Sequence, residues 1–246
     1  MAFTSFRFIV FLVLAAAAYF LTPKRCRWVT LFVANYVFYF ISGGRIFIYL
    51  LATTVTTYLA TVKIGDMVAK NKIAFNEAKA ELDKEGKKAW KAAFAKKKKR
   101  ILIPTLLFNF GILAVLKYSG FVTENLNLLF AKIGIGTELP VFRFLLPLGI
   151  SFYTFQSMGY LIDVYREKQE PERNFCKLAL FISFFPQIVQ GPISRFGTLA
   201  EQLFRANEFS YTRIKFGVQL MLWGAFKKMV IADRAAVLVD NAFGFP

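Results

Sequence analysis

Asp163 and Arg166 stand three positions apart at the end of a long apolar stretch, a spacing that puts them on one face of a helix, where they can pair. Ionisable groups at the edge of an apolar segment suit two roles: a helix-end ion pair that anchors the interface, or a polar lining for an entry path. Gln156 lies deeper in the same stretch, a neutral amide able to hydrogen-bond across to another helix. Gln187, Gln190 and Arg195 flank the breaks at Pro186 and Gly191-Pro192. If Pro192 opens a helix, its N-terminus with Arg195 beside it suits an anionic group such as a coenzyme A phosphate; a purely structural turn is the alternative. The 246 residues include no histidine, which excludes Ser-His-Asp and Cys-His nucleophile pairs within them. No serine occupies a G-x-S-x-G elbow, and the scattered carboxylates and distant Cys26 and Cys176 indicate neither a metal site nor a disulfide framework. No catalytic residue and no bound cofactor are expected in this chain.

The elements that must hold these residues are apolar. Hydrophobic residues make up 57% of the chain, with 30 Phe and 10 Tyr, too apolar for an ordinary soluble domain. The net charge of +17 lies between apolar runs, which argues against nucleic acid as a partner and for membrane lipid. Phe8 to Leu21, Trp28 to Ile41, Ile46 to Val62 and Ile101 to Tyr118 are apolar runs that can cross a bilayer with their flanks. Phe142 to Val164 is uncharged between Arg143 and Asp163 and reads as the surest spanning helix, with Pro147 near its first position. Only Arg7 precedes the first apolar centre, while Lys24, Arg25 and Arg27 follow it. That order favours an anchor with its N-terminus outside over a cleaved signal peptide.

Residues 63–100 carry 13 Lys or Arg against 5 Asp or Glu, with Phe75, Ala78, Leu82, Ala89, Trp90, Ala93 and Phe94 at helical spacing. This predicts a cytoplasmic, basic amphipathic helix on the membrane surface, either a topology determinant and anchor or a docking face for a cytosolic partner. The alternation then places the turn at Ser42 to Arg45 outside, Ser119 to Arg143 outside, and Asp163 and Arg166 on the cytoplasmic side. Phe175 to Val189, broken by Pro186-Gln187, predicts a re-entrant, cavity-lining segment. Ile214 to Ala232, interrupted at Lys227-Lys228, predicts an interfacial helix. The expectation is an all-α, polytopic integral membrane protein of the cell membrane: one domain over residues 1–246, a helical bundle with broken and interfacial helices, and no internal repeat.

The run Leu146-Pro147-Leu148-Gly149-Ile150-Ser151-Phe152-Tyr153-Thr154-Phe155-Gln156, its continuation Tyr160 to Arg166, Phe185-Pro186-Gln187 and Gly191-Pro192-Ile193-Ser194-Arg195-Phe196 resemble the first half of membrane-bound O-acyltransferases (MBOAT), in the alginate O-acetyltransferase branch. Phe3-Thr4-Ser5, Ala34-Asn35-Tyr36-Val37-Phe38-Tyr39 and Phe226 to Asp233 extend the resemblance over most of the chain. The resemblance implies a partial MBOAT fold and acetyl transfer from acetyl-CoA or another cytosolic donor across the membrane, toward a polysaccharide served by an extracytoplasmic acyltransferase partner. It also implies a family histidine lying beyond Pro246 in a C-terminal half, without which this chain is inactive. Within the family the alternative is the D-alanyl transfer protein of teichoic acid modification. Outside it are a non-catalytic membrane scaffold and a small transporter, the latter weakened by the missing inverted halves.

Overall fold

The computed structural model describes residues 5–43, 47–80, 82–134, 139–140, 146–188 and 191–244, and those residues are helices joined by turns. The first two apolar runs form α1 (Phe6–Leu21) and α2 (Arg27–Gly43), separated by a 3₁₀ turn at Lys24–Cys26. Ser5 caps α1 by accepting the Phe8 N–H. The descriptions of Arg45 and Ile46 fall outside the described residues.

The basic stretch is not a separate surface helix. α3 (Phe47–Ala78) runs 32 residues and α4 (Lys84–Ile133) runs 50, so residues 63–78 and 84–100 form the continuous ends of two spanning-length helices. The physical reason is that Lys, Ala and Glu are strong helix formers, so the polarity change at Lys63 and again at Arg100 alters what the helix faces without breaking it. Asp83 Oδ1 accepts the Gly86 N–H at 2.7 Å and starts α4. At the far end α4 continues past Tyr118, the end of the apolar run, through Ser119 to Ile133, and stops at Gly134 in the left-handed conformation at φ 79°. Both helices are long and apolar enough to cross a membrane.

The expected spanning helix from Phe142 is shorter. α5 covers Ile150–Tyr165, and Pro147 lies in the turn before it rather than at its first position, its carbonyl accepting the Ile150 N–H. Gly149 starts α5 at φ 70°, where an added Cβ would lie 1.8 Å from Ile188 Cγ2, so only glycine fits this close approach. Hydropathy alone could not register that restriction.

The break expected at Pro186-Gln187 falls two residues earlier, at Phe184: α6 (Phe175–Ser183) ends there, and α7 (Phe185–Ile188) takes Pro186 into its first turn, where a missing N–H costs little. α8 is Phe196–Phe204, so the helix opens at Phe196 and not at Pro192. α9 (Tyr211–Phe226), a π-helical segment at Lys227–Ala232 and α10 (Asp233–Phe243) make one longer helical run than expected.

Contacts sort the chain into two compact units, residues 26–205 and residues 1–25 with 206–246. In the larger unit α3 packs against α4 and α5, and α2 against α6. The α3 face toward the interior carries Thr53, Thr54, Thr57, Ala60 and Thr61, all buried. Small residues let membrane helices approach closely, and the hydroxyls of Thr54 and Thr61 return hydrogen bonds to the carbonyls of Leu50 and Thr57. Outward faces are apolar, with Leu107, Phe121 and Phe40 well exposed, as lipid contact requires. In the smaller unit the Phe20 and Phe209 rings meet edge-on at 5.3 Å, and Lys24 Nζ donates to Glu208.

Candidate functional site

α5 carries Gln156 and Asp163 seven residues apart, two turns, and therefore on nearly one face. Gln156 is buried, and its Nε2 donates to the Phe181 carbonyl at 2.8 Å, the cross-helix bond expected of it. Phe181 lies in the last turn of α6, where carbonyls have no partner within the helix. The break at Phe184 leaves an equal need on its other side. There Asn35 Oδ1, fully buried on α2, accepts the Phe185 N–H at 3.0 Å, and the Phe38 ring lies 5.0 Å from that of Phe185. Two amide side chains thus satisfy both ends of the break.

Beyond α7 the chain turns through residues 191–195. Gln187 Nε2 donates to Ser194 Oγ at 2.8 Å. Arg195 is the cap residue of α8, and its guanidinium stands 3.9 Å from Asp163 Oδ1. Asp163 therefore pairs with Arg195 and not with Arg166, which is exposed at the end of α5. The long-range partner wins because α8 is packed onto α5 by a ring cluster: Phe196 lies 4.7 Å from Tyr160 and 4.9 Å from Phe181. Tyr160 Oη also accepts the Glu172 N–H at 2.7 Å, tying the turn after α5 to its own helix.

The structure accordingly brings Asp163, Gln187 and Arg195 to one corner through the adjacent pair Ser194-Arg195, with Gln156 two turns away. Gln190 lies outside the described residues. Sequence reasoning did not single out Asn35 and Ser194. Asn35 had a usable signal, the one amide within the apolar run from Trp28 to Ile41. Several buried polar atoms here have no hydrogen-bond partner among the described residues: Asn35 Nδ2, Tyr39 Oη, Tyr153 Oη, Ser183 Oγ and Gln187 Oε1. The arrangement offers hydrogen bonds and one arginine to a polar ligand, and no nucleophile paired with a base.

No family model matches the chain, and no solved structure matches it. It is similar along almost all of its length to curated proteins. A protein of Pseudomonas syringae pv. tomato named "Probable alginate O-acetylase AlgI" is 30% identical over 246 residues, 99% of this chain and 42% of that protein. The protein of the same name from Azotobacter vinelandii is 33% identical over 248 residues, 99% of this chain and 44% of that protein. A "Peptidoglycan O-acetyltransferase" of Helicobacter pylori is 33% identical over 170 residues, 58% of this chain and 31% of that protein. The chain thus spans less than half the length of the curated relatives it matches.

Proposed function

We propose that the chain forms the N-terminal part of an MBOAT-like O-acyltransferase of the alginate O-acetylase branch, one that passes an acetyl group from a cytosolic thioester, such as acetyl-CoA, across the cell membrane toward an extracytoplasmic polysaccharide. The observation that carries the reading is similarity over 99% of the chain to proteins named for O-acetylation. In such a transfer the acyl carbon leaves sulfur for a sugar hydroxyl oxygen, and the hydroxyl proton ends on the departing thiol. The proton step needs a general base, and these 246 residues contain no histidine to act as one. The base, and with it activity, comes from the portion of the relatives that this chain does not cover. Within the chain, Arg195 is the group suited to an anionic part of the donor, held in place by Asp163 and by the packing of Phe196. The acyl and proton balance is that of the net transfer: on the outer side a secreted acyltransferase partner takes up the acetyl group and hands it to the sugar hydroxyl.

The test is expression of the full-length gene in a bacterium deleted for its own polysaccharide O-acetylase, with ester-linked acetate on the polysaccharide measured after mild alkali. Restored acetate that the first 246 codons alone do not restore is the expected result; no acetate from the full-length gene rejects the reading. The match to the Helicobacter pylori protein favours peptidoglycan as a second acceptor, and acetylated muropeptides in the same strain would separate the two.

A further inference from the structure

Where α3 and α4 leave the apolar layer they enclose a cavity of about 270 Å³, with Lys72, Phe75, Trp90, Lys91, Phe94 and Lys98 in its lining. Its walls are sorted by chemistry. At the floor Lys98 is buried, donates to Glu167 Oε1 at 2.6 Å and to the Tyr165 carbonyl at 3.0 Å, and is neutralised there. Trp90 Nε1 donates to Asn71 Oδ1 at 3.0 Å, so the indole turns its apolar face rather than its N–H to the space, with the Phe75 ring 6.1 Å away. At the rim Lys72 and Lys91 are exposed and have no ion-pair partner among the described residues, which leaves the lining with an excess of two positive charges. None of this serves the α5–α8 corner.

We propose that this cavity binds the phosphate-bearing headgroup of an anionic membrane phospholipid, with Lys72 and Lys91 on the phosphate and the Phe75, Trp90 and Phe94 rings against the glycerol and upper acyl chain. Depth supports a lipid over a soluble anion. Val68 is six residues beyond Val62 and Lys98 three before Ile101, so at about 1.5 Å per residue the floor is roughly 5–9 Å outside the apolar segments. A bilayer's polar layer is about 5–8 Å thick on each face. Lys72 and Lys91 stand farther out and are exposed at the edge of the cavity, where long flexible side chains can meet a headgroup phosphate. An indole beside lysines is the side-chain mixture that favours this depth.

The test uses the purified chain in neutral detergent, titrated calorimetrically with dihexanoyl phosphatidylglycerol, dihexanoyl phosphatidylcholine and inorganic phosphate. The expected result is saturable binding of the phosphatidylglycerol only. K72Q/K91Q is expected to weaken it about tenfold or more, whereas K96Q/K97Q, which removes equal charge from exposed positions of α4 outside the cavity, changes it less than about twofold. Equal loss in both double variants would mean diffuse attraction and overturn the site. Equal binding of the zwitterionic lipid, or inorganic phosphate binding as tightly as the lipid, would overturn the lipid assignment. Phosphatidylglycerol that binds both variants like the parent chain would place the lipid elsewhere.

Discussion

Arg195 is 74% exposed while its partner Asp163 is 20% exposed, so water screens their attraction and the pair holds little folding energy. Its value lies in direction: it fixes a guanidinium at the corner made by α5, α7 and α8. R195A is therefore expected to cost under about 1 kcal/mol in thermal unfolding in detergent. In the full-length protein the same substitution should lower polysaccharide acetylation several-fold, and R195K should recover only part of it, because the ammonium lacks the planar fork. A loss of acetylation matched by an equal loss of folded protein would reduce Arg195 to a structural role. Asp163 illustrates how far sequence reaches at this scale. The composition of the corner was legible, since Asp163, Gln187 and Arg195 were all singled out. The pairing was not, because spacing on one helix suggests Arg166, whereas the choice of partner is made by ring packing between residues more than thirty positions apart.

The broken α6–α7 element survives at depth only because its loose backbone groups are met. Gln156 takes the Phe181 carbonyl and Asn35 the Phe185 N–H, one on each side of Phe184. Leaving a buried backbone group unpaired costs about 1–3 kcal/mol, so Q156L and N35L should each destabilise by that amount. Because both bonds hold the same break, the double variant is expected to lose less than the sum, by about 0.5 kcal/mol or more. Strict additivity in a double-mutant cycle of thermal or denaturant unfolding would show that the two bonds act independently. Gly149 is the second element-scale pivot. G149A meets both a positive φ and a clash with Ile188, and should cost about 2 kcal/mol or more, whereas G159A, in open space within α5, should be neutral or stabilise by up to about 1 kcal/mol because alanine is the better helix former. Apolar runs located α1, α2 and the α6 region well. They misjudged α3, α4 and α5 because hydropathy reports the surroundings of a helix, while caps and glycine conformations decide where it ends. Lys63 and Arg100 mark such a change of surroundings in mid-helix.

At the scale of the molecule, lengths constrain how the larger unit meets a bilayer. α3 is 32 residues and α4 is 50, about 48 and 75 Å, against a hydrocarbon layer of about 30 Å. Both must overshoot, and they do so together: residues 63–78 of α3 and 84–100 of α4 form the basic hairpin, reaching about 24 Å past the apolar layer. The Trp90–Asn71 bond ties the hairpin near its middle and Lys98 against Glu167 ties its base, so the two helix ends brace each other. The positive-inside rule predicts this basic hairpin on the cytoplasmic face and the opposite end of α4, with Lys132, outside. Single cysteines read by a membrane-impermeant maleimide on spheroplasts, with the native Cys26 and Cys176 replaced, check this directly. K132C should react in intact cells, and K84C only after permeabilisation. Labelling in the reverse order would invert the protein in the membrane, and with it the side from which Arg195 could meet an acyl donor. Labelling of both in intact cells would deny that the apolar centre of α4 crosses at all, and the shared overshoot of α3 and α4 would then need another cause than a bilayer between their ends.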